Sequence, residues 1–246
     1  MVKMKSMPAT SYFVSDLHLF SRRSQAPQHN AALQRAAQRA RTFVLGGDIF
    51  DFRWSMLEST QATVDASIRW LDDLVGSHRK CDFHFVLGNH DSNRRFVAAL
   101  ERYAHSTPNL EVHPYFLRLD QKVFLHGDVA DRPEICADKL RHRRSHWSGD
   151  ERRGEVKNLL YDWAVKARLH KLCGKVVHPK QRVASRILGY LDRVGMGPES
   201  GIEDVYFGHT HEALTNYQHG GISFHNGGAP IDGLDFRIVD VAGNKS

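Results

Sequence analysis

The chain reads as an α/β protein in which two sheets stack face to face with helices outside. Three observations predict this. Its first half alternates short apolar strands with helix-length segments. Its second half ends in stretches of period-two alternation, the signature of half-buried antiparallel strands. Five short blocks rich in Asp, Asn and His each follow one of those strands. A single sizeable domain suits 246 residues, and a hydrophobic fraction of 41% is enough to bury its core.

The N-terminal MVKMKSMPAT carries two lysines with no apolar run behind them, so a frayed tail is expected and not a signal peptide. Residues 12–15 form the first expected strand and 29–41 an alanine-rich helix. Residues 42–45 form the second strand. A helix over 60–75 puts Val64, Ile68, Leu71 and Val75 on one face and stops at Gly76. Further strands are expected at 83–87, 112–119 and 123–125. Short apolar strands separated by helices imply βαβ units and a largely parallel, buried sheet, with the site at the strands' C-terminal ends.

Beyond the middle, 205–207 is another short apolar strand. The stretches 213–218 and 221–224, joined by His219-Gly220, and a last strand at 236–241 are expected to complete the second sheet in antiparallel fashion. Between His126 and His209 lie far more residues than a connection needs. Val156, Leu159, Leu160, Trp163 and Ala167 recur at helical spacing, as do Val183, Ile187, Tyr190, Leu191 and Val194, which Gly195 ends. Residues 131–196 therefore read as a helical insertion mounted on the rim of the site. Its apolar stripes pack on each other or on the body, or leave a slot between them. Trp147 and Trp163 line such a slot or fill a small core.

The net charge of +6 is unevenly placed. From Arg132 to Arg193 basic residues outnumber acidic ones sixteen to seven, so the rest of the chain is acidic. A basic segment on an acidic body is a local electrostatic device and not a generally adhesive surface. No run of about 18 apolar residues occurs, so no membrane-spanning helix is expected. Cys81, Cys136 and Cys173 are odd in number and lack metal-type spacing, which predicts free thiols in a reducing cytoplasm.

The five blocks carry the chemistry. They supply Asp16 and His18 in VSDLH, Asp48 in LGGDIFD, Asn89 in LGNHD, His126 in FLHGD, and His209 with His211 in FGHTH. Asp16 and His18 are expected on one side of an extended segment, where they chelate one ion together. Gly46-Gly47 allow the sharp turn that brings Asp48 in, and a carboxylate has two oxygens with which to bridge two ions. Asn89 adds a neutral oxygen, which limits the ligand charge. Nitrogen and oxygen donors without thiolate suit Mn²⁺, Fe, Co²⁺ or Zn²⁺ better than Mg²⁺ or Ca²⁺. Two such ions activate water and polarise a phosphoryl oxygen, so the blocks predict a metal-dependent hydrolase of phosphate esters or anhydrides. His90 is placed to stabilise the transition state or protonate the leaving oxygen, with Asp91 orienting it. Asp51 either supports the site or caps its turn.

The ordered series D-x-H, G-D-x-x-D, G-N-H-D, H-G-D and G-H-x-H, running from Asp16 to His211, resembles the calcineurin-like metallophosphoesterase superfamily. DLHL, GDIFDF and the HGD/GHTH pair are similar to the UDP-2,3-diacylglucosamine pyrophosphatases of lipid A biosynthesis, whose lid resembles the insertion here. This chain has His90 where pyrophosphatases of that group carry arginine. The resemblance implies a two-sheet αββα metallophosphoesterase sandwich with a helical lid. It implies one metal held by Asp16, His18, Asp48 and His211 and a second held by Asp48, Asn89, His126 and His209, with two divalent ions, usually Mn²⁺. It implies hydrolysis of UDP-2,3-diacylglucosamine to UMP and a lipid monophosphate at the cytoplasmic face of the membrane. Arg22 and Arg23, in the basic loop after DLHL, and Arg141 and Arg144, in the insertion, are the candidate substrate-binding residues. They would grip a pyrophosphate or an anionic membrane surface, or form a solvated face. Two alternatives stand beside this reading: a soluble metallophosphoesterase acting on a nucleotide, a phosphoprotein or a nucleic-acid phosphodiester, and a non-catalytic scaffold. The complete ligand set opposes the scaffold. Nucleic acid is not the expected substrate, and no obligate protein partner is inferred.

Overall fold

The computed structural model describes residues 10–133, 136–150 and 179–241. The N-terminal tail, the expected helix bearing Trp163, and Cys173 lie outside the described residues. Strand β1 (Thr10–Val14) leads into helix α1 (Ala26–Arg39) and strand β2 (Ala40–Leu45). Helix α2 (Thr60–Leu71) ends in a π-type turn, Asp72–Gly76, before β3 (Asp82–Val86). Then come α3 (Arg94–His105), β4 (Leu110–His113), β5 (Phe116–Leu119) and β6 (Lys122–Leu125). Helices α4 (Ala137–Ser145) and α5 (Lys180–Arg193) precede β7 (Asp204–Phe207), β8 (Leu214–His219), β9 (Ile222–Asn226) and β10 (Val239–Val241).

The strands form two five-stranded sheets, ordered β10-β1-β2-β3-β4 and β5-β6-β7-β9-β8. In the first, β1 to β4 are parallel neighbours and β10 is antiparallel to β1. In the second, β6, β7 and β9 run parallel, flanked by antiparallel β5 and β8. Alternation along each strand sorts the apolar side chains into layers. Phe43, Leu45, Phe83 and Phe85 face α1, α2 and α3, while Phe13, Val44, Val86, Phe124 and Tyr206 fill the space between the sheets. Val123, Leu125, Val205 and Phe207 face outward on the second sheet. Each fully buried phenylalanine contributes roughly 1.5–3 kcal/mol.

Three details differ from expectation. Residues 112–119 are not one strand but two, in different sheets: Pro114 lacks the N–H a ladder needs and breaks the run. The last strand shortens to β10 and returns to the first sheet, not the second. Helix α3 was not foreseen, although its signals are in the sequence. Asn93 caps it by accepting from the amides of Arg95 and Phe96, and Phe96 and Leu100 are buried one turn apart. The stripe on α5 forms the outer layer of the sandwich, with Val183, Ile187, Tyr190 and Leu191 buried against the second sheet. No described helix is long and apolar enough to cross a membrane.

Candidate metal centre

The ligand blocks all leave the C-terminal ends of strands and meet where the two sheets adjoin. Asp16 and His18 follow β1, Asp48 follows β2 and Asn89 follows β3; His126 follows β6, and His209 with His211 follow β7. All seven side chains predicted as ligands are brought together. One nest holds Asp16, His18 and His211, with His18 Nε2 3.0 Å from His211 Nε2 and His211 Nε2 3.5 Å from Asp16 Oδ1. The other holds Asp48, Asn89, His126 and His209; His126 Nε2 lies 3.1 Å from Asn89 Oδ1 and 3.2 Å from Asp48 Oδ2. The same Asp48 Oδ2 is 3.9 Å from His18 Nε2, so it stands between the nests.

The local backbone departs from the expected extended segment. Asp16 (φ 55°), His18 (φ 45°), Asp48 (φ 52°), His209 (φ 68°) and His211 (φ 55°) are all left-handed. Each such non-glycine residue costs on the order of 1–3 kcal/mol and is held only where its surroundings over-determine it. Asp16 and His18 converge because both backbones turn, not because alternate residues of a strand share a face. The turns are fixed by bonds between loops: the amides of Asp16 and His18 donate to Gly47 O (3.0 Å) and Asp48 O (2.9 Å). The amide of His209 donates to both Asp16 oxygens, at 2.9 and 3.0 Å, and that of His90 donates to Asp48 Oδ1 at 2.7 Å. Two glycines let the carboxylates in. A Cβ on Gly88 would lie 2.2 Å from Asp48 Oδ1, and one on Gly208 2.2 Å from Asp16 Oδ2.

The electrostatics suit cations. Burial alone would raise the pKa of Asp48, but His126 and His90 hold it well below the usual carboxylate range. Burial alone would discharge His126, yet Asp48 and then Asp16 push it up to about 10. Buried carboxylates that draw this much positive charge, with four imidazoles converging on them, fit divalent metal ions. The set contains no thiolate.

Around these ligands sit side chains that sequence reasoning left open or missed. Asp51 resolves both ways at once: Oδ1 accepts from the amide of Trp54 at 2.9 Å, and its carboxylate lies 3.0 Å from His90 Nδ1 and 3.3 Å from His18 Nδ1. It orients a ligand and the neighbouring histidine together, as outer carboxylates of metal sites do. Asp91, expected to orient His90, does not. It is fully buried and accepts from the amides of Ile49, Phe50 and Gly88, because the tight loops after β2 and β3 leave those donors without a ladder partner. Asp131 was missed; its Oδ1 lies 2.7 Å from His209 Nε2.

His90 has Nε2 4.0 Å from Asp48 Oδ2. Burial lowers its pKa, but Asp51 and Asp48 outweigh burial and raise it to about 9. Its ring lies 4.4 Å from that of Trp147, whose indole also carries the Arg53 guanidinium at 4.2 Å. The turn bearing Trp147 is latched to the start of α3. Asn93 Nδ2 donates to Gly149 O, the Arg94 amide to Ser148 O, and Arg95 pairs with Asp150.

A cleft of about 230 Å³ opens beside His90, lined by Arg23, Trp54, Trp147, Ile231 and Leu234 together with His18 and His211. Arg23 lies over the Trp54 ring at 4.6 Å. Of the four arginines predicted to bind substrate, Arg23 lines this cleft. Arg22 is exposed, and Arg141 donates to Tyr115 Oη. Arg144 is a correction: it is buried and grips Asp128 with two bonds of 2.8 Å while donating to Pro114 O, so its guanidinium is consumed inside the fold.

Two sheets that jointly enclose a pair of aspartate–histidine nests define a dinuclear metal-dependent hydrolase. The chain belongs to the calcineurin-like phosphoesterase family, whose model matches residues 10–213, and it is accordingly a metal-dependent phosphohydrolase that binds two divalent ions. Among solved structures it is similar to a dimetal phosphatase from Danio rerio, at 13% identity and a TM-score of 0.48, covering 91% of this chain and 88% of that one. It is also similar to an archaeal phosphodiesterase (13%, TM-score 0.43, 94% and 99% covered) and to the nuclease MPE of Pseudomonas putida (14%, TM-score 0.40, 91% and 76% covered). No curated protein matches the chain significantly.

Proposed function

We propose that the chain cleaves a phosphoanhydride or phosphodiester that carries a flat ring, as a nucleotide does, and within that class UDP-2,3-diacylglucosamine, releasing UMP and the lipid monophosphate. The observation that carries the class is the cleft: Arg23, Trp54 and Trp147 line it directly beside His90. A guanidinium suits phosphate oxygens and indoles suit a base or sugar ring. Asp16, His18, Asp48 and His211 would hold one ion and Asp48, Asn89, His126 and His209 the other; the donor set suits Mn²⁺, Fe, Co²⁺ or Zn²⁺, and the resemblance to the diacylglucosamine pyrophosphatases favours Mn²⁺ among them. When bound, two such ions supply Lewis acidity toward the phosphoryl group and a water acidic enough to attack it. His90, held by Asp51 and Trp147, delivers a proton to the departing oxygen. The lipid substrate is supported by the DLHL, GDIFDF and HGD/GHTH blocks, and peripheral contact with an anionic membrane by the basic insertion.

A second reading, a water-soluble nucleotide substrate, is favoured by α5. Its stripe was one of two able to line an acyl slot, and it is buried against the second sheet. The test is UMP release by the full chain with Mn²⁺ from UDP-2,3-diacylglucosamine in micelles, against UDP-N-acetylglucosamine and a chromogenic phosphodiester in solution. Preferential cleavage of the lipid supports the narrower reading. Cleavage of the soluble substrates alone overturns it in favour of the second, and no turnover of any of them overturns the class.

A further inference from the structure

Outside the dinuclear centre, one other cluster of metal-ligating side chains gathers among the described residues. His84 lies on β3, and Glu111 and His113 lie on β4, the edge strand of the first sheet. In the parallel register His84 is opposite Glu111, while His113 is opposite Val86, two residues further on, so all three project from one face. His84 Nδ1 is 3.1 Å from His113 Nε2. Glu111 Oε2 is 3.5 Å from His84 Nδ1 and 3.8 Å from His113 Nε2.

We infer that His84, Glu111 and His113 form a mononuclear zinc site that clips the edge strand β4 to β3. Tetrahedral ligands about 2.0–2.2 Å from zinc stand roughly 3.3–3.6 Å from one another. The three separations seen here straddle that range, so only small side-chain adjustments are needed. Two imidazoles and a carboxylate make a donor set that prefers zinc to magnesium or calcium. Burial lowers the pKa of both rings, leaving each a lone pair at neutral pH. Asp82 precedes His84 by two residues on the same face and adds negative charge. The fourth position is left for water. Such a clip would also guard an edge strand that otherwise offers its backbone to another chain.

Zinc content and thermal stability test the site without reference to the phosphohydrolase reading. Full chain loaded with excess Zn²⁺ and desalted should contain one more zinc ion per chain than His113→Gln. The exposed Glu111→Gln, which leaves packing untouched, should lose the same ion at lower zinc. Both variants should retain the wild type's Mn²⁺-dependent activity on a chromogenic phosphodiester, since neither residue belongs to the dinuclear centre. Wild type should also gain thermal stability from Zn²⁺ beyond the gain shown by either variant. Equal zinc content and equal stabilisation in wild type and both variants would overturn the proposal, and would reduce the cluster to an imidazole–imidazole hydrogen bond beside a carboxylate.

Discussion

The loops of the first sheet and the loops of the second bring different chemistry to the same point. Both carboxylate ligands and the amide, Asp16, Asp48 and Asn89, follow β1, β2 and β3, whereas three of the four imidazoles, His126, His209 and His211, follow β6 and β7. The first sheet thus sets the charge of the centre, and the second supplies most of its nitrogen donors. Neither half is a complete site, and the bonds that close it cross the seam: His209 amide to Asp16, His126 to Asp48, His211 to His18. Their buried anchors differ too. Asp91, among backbone amides, has its pKa raised to about 7 by burial and then by Asp48. Asp128 stays below the carboxylate range despite burial because Arg144 lies against it. One half is anchored by neutral dipoles and the other by an ion pair.

Removing the shared oxygen breaks the comparison most severely. Asp48 stands between the nests, so Asp48→Ala should lower turnover by at least ~10⁴-fold, with loss of bound metal measured by elemental analysis. Variants of His18 or His211, confined to one nest, should retain the ion in the other. His90 is bound by its amide to Asp48 but is not itself counted among the ligands. His90→Ala should therefore keep both ions and lower kcat by roughly 10²–10⁴-fold; metal loss in this variant would refute the role assigned to it.

The anchors separate next, in stability. Arg144→Ala leaves the Asp128 carboxylate buried without its cation, which costs about 3–5 kcal/mol. Denaturant titration should show a clear fall in midpoint. Arg141→Ala, three residues earlier but exposed, should leave the midpoint close to that of wild type. If the centre is a seam, chelation should loosen both sheets. At a hundredfold excess over Kd one ion adds about 2.7 kcal/mol to the folded state, so a chelator should lower Tm in calorimetry by roughly 5–10 °C for each ion it removes.

Much of this was legible before any coordinates, for a definite reason. Ligand blocks are short, each follows an apolar strand, and their order along the chain survives folding. The sandwich was legible because apolar alternation decides which face a strand buries. What escaped depends on how the chain turns once it leaves a strand. That Asp16 and His18 converge through left-handed backbones, that Asp51 rather than Asp91 reaches His90, and that Asp131 meets His209 across 78 positions are facts of loop geometry that no periodicity encodes. Arg144 misled for a related reason: a basic residue in a basic segment reads as available to an anionic substrate until its partner, Asp128, is placed beside it. Two misses were avoidable, since Pro114 and the Asn93 cap are plain local signals.

The smallest expected effect asks which half the insertion serves. Trp147 belongs to neither sheet's ligand loops, yet its turn is tied to Asn93, Arg94 and Arg95 at the start of α3 and to Arg53. The insertion therefore sides with the first sheet at this end, and its indole, packed between Arg53 and His90, limits where the imidazole can swing. Its place in the cleft wall is read in KM, whereas its effect on kcat acts through the histidine it positions. Trp147→Ala should lower kcat about tenfold with metal content unchanged, and Trp147→Phe, which keeps a ring against His90, should recover most of the loss. In a His90→Ala background the same change should cost almost nothing further in kcat, because residues that work through one another are non-additive. Full additivity in kcat between the two would mean that Trp147 does not act through His90, and that the insertion contributes only a wall of the cleft and no brace for the histidine.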